Sequence, residues 1–519
     1  MQYLAWIRES SEHFAAGNLL SPAKPIRDFV HPGVLSSALL HRLGLSIPLS
    51  YAIWVPVATG TICAGAWMFM RDVLPRGWPR ATGLALGLLY SAPTFLFLSW
   101  VSPSTSGLIR LVDGDASTLG ALWGYPFSAL PIGLTCLAVV HYSRLWGTGR
   151  RFSKGLVALA LVISWLQPWQ GVTTLVILGG AELLLLAPRF AGRFGPAGEQ
   201  RHSRWLGLSA ASAALIPLVY YALLGRFDQG FAESERNLSI VIGGERWWMM
   251  FIAVLPLLLP ALLVLRVETR SVPSLTARIW AAAAIGQAVL LSVTGISSSP
   301  SHALRGAAIP LAALAVIGVQ GVLKQRRTVL ALTAIGGVLL CAVPGTVNNW
   351  ASQRESLWGT GVDYKVAGYF ITNQERDAIN WIGSSPMPGG VLADRKMAPL
   401  VPWMTGRQVW AGHGNWTPQS LVRFGVLGNF FNGVPLFDPK LSTMSQGRFV
   451  QATGSRFVIV NCVFSPIASF LDAQLLQVAS SKRSFGCVSV YVIKPAPKGQ
   501  ESRSDAGRLE RSYGAGFQG

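Results

Sequence analysis

The sequence predicts an α-helical polytopic membrane protein with a small α/β domain at its C-terminal end, and three observations carry that class. Apolar stretches close to membrane-crossing length recur, the loops between them alternate in charge, and the pattern changes after residue 347 to short strands and helices. The stretches are 49–70, 81–100, 125–142, 173–187, 206–224, 247–265, 279–296, 303–323 and 328–347. Each is near the roughly 20 residues that an α-helix needs to cross a hydrocarbon core.

Loop charge sets the expected orientation. Every second connection is basic: Arg71, Arg76 and Arg80; Arg144, Arg150, Arg151 and Lys154; Arg189, Arg193, Arg201 and Arg204; Arg266 and Arg270; Lys324, Arg326 and Arg327. The alternate connections carry Asp113, Asp115, Asp228, Glu233, Glu235 and Glu245. Lys and Arg favour cytoplasmic loops, so the acidic loops and the C-terminal region are expected outside. A chain that is 51% hydrophobic and 13% charged fits a membrane class better than a soluble globule. The net charge of +20 lies in short loops beside helix ends. It therefore points to membrane lipid as a partner and not to nucleic acid, for which no basic patch interleaved with aromatics is present.

Residues 1–48 form an external N-terminal segment on this reading. Within 34–45, Leu35, Ala38, Leu39 and Leu43 share one face of a short amphipathic helix suited to the outer interface. Residues 1–14 contain Arg8, Glu9 and Glu12 and no apolar leader that would carry the segment across. The expectation is a further membrane helix upstream in a longer protein; the alternative is a segment that lies on the outer leaflet.

The transmembrane domain, 49–347, holds about nine or ten apolar segments, one of them a pair broken at Gln167-Pro168-Trp169-Gln170. Both flanks of that pair are basic. It reads either as a re-entrant pair with a polar apex or as a plain helical hairpin. From 348 to 494 the elements alternate: a helix at 375–382 behind a Thr372/Asn373 cap, strands at 391–393, 456–461 and 487–493, and helices at 418–431 and 466–478. That order predicts an α/β domain, followed by a disordered tail over 495–519. Cys63, Cys136 and Cys341 lie in apolar stretches as packing residues. Cys462 and Cys487 form either a disulfide in an oxidising compartment or, as the sequence favours, two unpaired buried thiols.

Nucleophile-elbow, P-loop and zinc patterns are absent. Chemistry then rests on ionisable groups near the outer helix ends. Asp113 and Asp115, in Leu111-Val112-Asp113-Gly114-Asp115, are candidate catalytic carboxylates, and a divalent cation, Mg²⁺ or Mn²⁺, is an open alternative there. The competing reading is a solvated Asp-Gly-Asp turn. Asp28, before Phe29-Val30-His31-Pro32, is a third catalytic candidate. Arg305, in Ser301-His302-Ala303-Leu304-Arg305-Gly306, is placed one turn inside an apolar helix, where it either holds a lipid-linked phosphate or snorkels to the interface. His302 accompanies it. Arg407 and His413, in a Gly-punctuated loop, either close over a polar substrate or stabilise a turn.

Several segments taken together are familiar: Tyr3-Leu4-Ala5-Trp6-Ile7-Arg8, the stretch 29–32 with Leu43-Gly44-Leu45, Pro168-Trp169, the helix start at 305–310, and Asp377-Ala378-Ile379-Asn380-Trp381-Ile382 leading to Thr405-Gly406-Arg407 and Gly412-His413. In order and spacing they resemble the GT-C superfamily of polytopic membrane glycosyltransferases, especially a bacterial branch with an extracytoplasmic C-terminal α/β domain. The resemblance covers most of the chain. It implies a multi-pass protein of the bacterial inner membrane that transfers a sugar from a polyprenyl-phosphate-linked donor to an extracytoplasmic glycan, lipid or protein acceptor. Substrate-binding candidates are then Arg305, His302, Arg407, His413, Gln167, Trp169 and Tyr3. The family's catalytic acid follows its first membrane helix, which implies a position just before Met1, so the chain as given would lack it. Gln167 stands where related sequences often carry His. The rival readings are a non-catalytic scaffold for envelope assembly and a lipid-linked oligosaccharide polymerase or ligase.

Overall fold

The computed structural model describes residues 1–22, 25–187, 205–267, 271–323 and 370–495, apart from 97, 119, 121–124, 147, 149, 243–244, 298, 435, 437–443 and 464–467, and adds single positions between 336 and 354. The expected span at 328–347 and the expected tail lie outside the described residues, except for residues 336, 343, 345, 347 and 495. The chain divides into two compact units that are not consecutive in sequence. One comprises 52–223 and 241–357, the other 1–51, 224–240 and 358–519.

The first unit is helical. Among the described residues, six helices have the length and apolar content to cross a membrane: Ile47–Val73, Pro126–Leu145, Pro168–Leu186, Leu206–Phe227, Trp247–Arg266 and Val272–Thr294. Helices Trp54–Val73 and Pro126–Leu145 cross at glycine. A Cβ on Gly133 would meet the Thr61 carbonyl carbon at 2.5 Å and the Ile62 nitrogen at 2.6 Å; a Cβ on Gly65 would meet the Gly133 oxygen at 2.5 Å. Small residues permit this backbone approach, the usual device where lipid removes the hydrophobic drive for helix association.

Two expected spans are corrected. Residues 81–100 are not one helix: Trp78–Leu89 ends at Tyr90, which is extended, and two short 3₁₀ turns follow at Thr94–Leu96 and Leu98–Trp100. Pro93 explains the stop, because proline disfavours the helical region in the residue before it. Residues 303–323 also start late. A 3₁₀ turn covers Pro300–Leu304 and the α-helix runs Ala308–Leu323. Arg305 therefore lies in the joint between them and not inside a helix.

The Pro-broken pair is a tight turnaround. Helix Lys154–Leu166 ends at Gln167, whose extended backbone starts Pro168–Leu186 with proline in the first turn. A Cβ on Gly171 would lie 2.8 Å from the Ser164 Cα, so the two helices touch at this glycine.

The second unit contains a four-stranded sheet in the order β1-β2-β4-β3, with β1 Val391–Ala393, β2 Phe457–Val460, β3 Ala479–Phe485 and β4 Val488–Ile493. β1 and β2 are parallel; the other pairings are antiparallel. Helix Asn373–Ser384 begins with a complete capping box, Thr372 with Glu375, and buries Ala378, Ile379 and Ile382. Glu375 also pairs with Lys396 at 2.7 Å, both side chains being almost fully buried.

The N-terminal stretch belongs to this unit through backbone-directed bonds. Arg8 donates to the Trp403 and Met404 carbonyls, Asn18 to that of Trp416, Val409 N–H to Leu19 O and Thr417 Oγ1 to Leu20 O. Asn237, from the middle stretch, donates to the Asn415 and Thr417 carbonyls. Helix Pro32–Arg42 is capped by His31; of the expected apolar face, Leu39 and the C-cap residue Leu43 are exposed, whereas Ala38 is buried.

Cys462 and Cys487 are bonded, so the favoured reading of two free thiols is corrected. The bond closes a sequence separation of 25 residues. Replacing Cys487 by Ser is expected to destabilise this unit by about 3 kcal/mol on the loop-entropy scale, read as a lowered midpoint in denaturant. An unchanged midpoint would show that the bridge contributes nothing to stability.

Candidate functional site

The site of interest in the helical unit is built from three connections. Helix Pro103–Ala116 is capped by Ser102 and carries Asp113 and Asp115 near its C-terminal end. Glu245 precedes helix Trp247–Leu262, and Ser301, His302 and Arg305 come from the turn at 300–305. Both aspartates are buried, at 8% and 7% exposure, so the competing reading of a solvated turn does not hold.

The two aspartates face different partners. Asp113 accepts from Ala92 N–H at 2.8 Å, Thr94 Oγ1 at 3.1 Å and Ser91 Oγ at 3.3 Å, and so pins the irregular segment after Pro93's helix break. Burial raises its pKa to about 6 against those stabilising bonds. Asp115 instead accepts from Arg305 Nε at 2.7 Å and from Ser301 Oγ at 2.6 Å. Burial pushes its carboxyl up, but the charge of Arg305, with His302 and the hydrogen bonds, outweighs this and holds it below the ordinary value. Among the described residues, the hydrogen bond of the Arg305 guanidinium is the one its Nε donates to Asp115.

Glu245 completes the cluster and was not singled out from the sequence as a site residue. It accepts from Ser301 N–H at 3.0 Å and Ser301 Oγ at 3.1 Å. Burial, reinforced by the charge of Asp115, raises its pKa to about 7. His302 Nε2 lies 3.8 Å from Asp115, beyond hydrogen-bond reach. Burial and Arg305 lower the His302 pKa to about 4, so the ring is neutral at pH 7. Trp169 meets His302 edge-on at 6.3 Å, and Gln170 Nε2 donates to the Arg305 carbonyl at 2.7 Å. Gln167 turns elsewhere and donates to Ser128 Oγ at 2.9 Å.

The remaining candidates belong to the other unit. Arg407 spends its guanidinium on the carbonyls of Ile382, Ser385, Met387 and Gly389, with Phe457 beneath it. His413 Nδ1 accepts from Asn415 N–H, and burial lowers its pKa to about 4. Tyr3 stacks on Tyr51 with ring centroids 5.7 Å apart.

Asp28 shares a hydrogen bond with Asp228 beside a cavity of about 10 Å³ walled by Trp6, Phe29, Phe231 and Trp416, room for about one water. Burial, then the bond and charge of Asp228, raise the Asp28 pKa to about 7 from an ordinary 3.8. The folded state thus holds this proton more tightly than the unfolded chain, and stability falls as pH rises between those values. Asp28→Asn is expected to flatten that slope in thermal unfolding across the same interval; an unaltered slope would assign it to other groups.

No family model and no curated protein sequence matches the chain. Two crystal structures of the oligosaccharyltransferase of Archaeoglobus fulgidus are similar to it. The form tethered to an acceptor peptide is 12% identical at a TM-score of 0.38 and covers 96% of this chain and 70% of that one. The apo form is 12% identical at 0.43 and covers 98% and 73%.

Proposed function

We propose that this protein is a GT-C-like glycosyltransferase that moves a sugar from a polyprenyl-phosphate-linked donor to an acceptor at the outer face of a bacterial inner membrane. The observation that supports it most is the buried Asp115–Arg305 pair with Glu245 held against the same Ser301. All three connections lie on the side that loop charge assigns to the exterior.

The Nη nitrogens of Arg305 receive the lipid-linked phosphate, and Asp115, bonded to Nε, fixes the guanidinium for it. The acceptor hydroxyl attacks the anomeric carbon, the bond from that carbon to the phosphate oxygen breaks, and the phosphate departs with the electron pair. Glu245, titrating near neutrality, takes the hydroxyl proton. Gln170 and Ser301 are positioning residues for Arg305 and the two carboxylates.

Asp115 and Glu245 carry oxygens of the kind that hold Mg²⁺ or Mn²⁺. Among the described residues, however, only Glu9, Glu12 and His13 converge as three ligand atoms, and they are outside this cluster.

The test is transfer of radiolabelled sugar by the purified protein in lipid vesicles, over a panel of polyprenyl-phosphate donors. Turnover that rises as pH increases through about 7, and loses that limb in Glu245→Gln, is the expected result. Donor binding without turnover in any combination would overturn the enzyme reading and favour an assembly scaffold.

A further inference from the structure

We propose that the basic end of the helical unit binds one anionic phospholipid, its acyl chain in a cleft between helices Trp54–Val73, Pro126–Leu145 and Lys154–Leu166 and its phosphate at the cationic mouth. The cleft has a volume of about 350 Å³, within the roughly 300–1,000 Å³ of small-molecule sites. Its walls are Met68, Leu137, Val140 and Leu159, all apolar; its mouth is formed by His141, Arg144 and Gly155. Two of the three helices are among the candidate membrane spans, so the walls lie where acyl chains are.

Charge complementarity selects the occupant. The connections at this end supply Arg71, Arg144, Arg150, Arg151 and Lys154, and Arg150 is close enough for its charge to act on His141. Against them stands Asp72, which takes Arg144 at 2.8 Å and Arg71 at 3.5 Å. The surplus is strongly positive beside an apolar slot, the combination that an anionic headgroup with a hydrocarbon tail satisfies and a zwitterionic one satisfies less well. Gly155 lies beside the His141 ring at the mouth, where a Cβ would make ordinary van der Waals contact with Nε2 at 3.5 Å. The His141 ring is held by Ser153 Oγ at 3.1 Å, which fixes one of its nitrogens and orients the ring at the mouth. None of these groups belongs to the Asp115–Arg305 cluster, so the site is independent of the proposed chemistry.

The test is native mass spectrometry of the full chain released from nanodiscs of equal phosphatidylglycerol and phosphatidylcholine. One phosphatidylglycerol is expected to be retained in excess over phosphatidylcholine. Reversing two exposed cations, Arg150→Glu with Lys154→Glu, is expected to cut that excess by at least about 30-fold, counting about 1 kcal/mol for each cation lost near an anionic lipid and nothing for the added anions. Filling the slot with Leu159→Trp is expected to lower retention while leaving the loop charges intact. Equal retention of the two lipids by the unmodified chain, or an excess untouched by the double reversal, would overturn the proposal. Displacement of the lipid by inorganic phosphate alone would also overturn it, because that outcome assigns a headgroup site without the acyl slot.

Discussion

Arg305→Ala is expected to abolish sugar transfer and to destabilise the helical unit by about 3–5 kcal/mol, the cost of leaving a buried charge without its partner. The partner is Asp115, buried and engaged by Arg305 Nε at 2.7 Å. Removing the guanidinium leaves a carboxylate whose ionised form depends on that cation. The two losses are separable. In Arg305→Met with Asp115→Leu, both charges are gone and similar volume is restored, so the unfolding midpoint should recover much of its value. Transfer should not recover, since nothing then holds the phosphate. Full turnover in Arg305→Ala, with donor KM unchanged, would remove Arg305 from the reaction and leave it as an ion-pair partner only.

Gly133→Ala is expected to be among the most damaging single-methyl changes in the chain. The added Cβ meets backbone atoms of Thr61 and Ile62 inside 2.7 Å, and backbone cannot step aside as a side-chain tip can. Helices Trp54–Val73 and Pro126–Leu145 must separate, at the upper end of the about 1–3 kcal/mol typical of overpacking. Gly286→Ala is the matched control. It lies in helix Val272–Thr294 with nothing within 4 Å of its would-be Cβ. There the change should be neutral or stabilising by up to about 1 kcal/mol, because alanine favours helix over glycine. Thermal unfolding of both variants in one detergent decides it: equal midpoints would mean that the glycine crossing contributes little.

Local signals were legible where one short segment contains its own explanation. Val391–Ala393 has the bounds expected of it because a short apolar run is flanked by Gly390 and Asp394. Thr372 and Glu375 announce a capping box at the spacing that forms one. β3 was missed because Ala479–Phe485 is mostly polar; it is an edge strand with Ser, Lys and Arg pointing to solvent, so no alternation marks it. The span at 81–100 was over-read because hydropathy averages across Pro93, whereas backbone sterics do not.

The candidate site divides in the same way. An arginine and an aspartate beside apolar helices are visible as costly residues in the sequence. Their pairing spans 190 positions, and that of Glu245 with Ser301 spans 56, distances that periodicity does not reach. Arg407 illustrates the reverse. Its Gly-punctuated loop suggested a substrate contact, while its donors end on four backbone carbonyls of its own unit.

The division of the second unit into 1–51, 224–240 and 358–519 carries a consequence for biosynthesis. Three stretches that pack into one body must all emerge on the same side of any bilayer the chain enters. An even number of crossings therefore separates each stretch from the next. The order of synthesis then runs against the order of contacts. Leu19 and Leu20 wait for Val409 and Thr417, and Asn18 for the carbonyl of Trp416, until nearly four hundred further residues have left the ribosome. During that interval the newborn amino-terminal stretch exposes Trp6, Leu20 and Phe29, which are buried in the finished molecule. Apolar surface left open for so long invites association with the wrong partner. Assembly of this body can therefore finish only after the residues near Thr417 have been made.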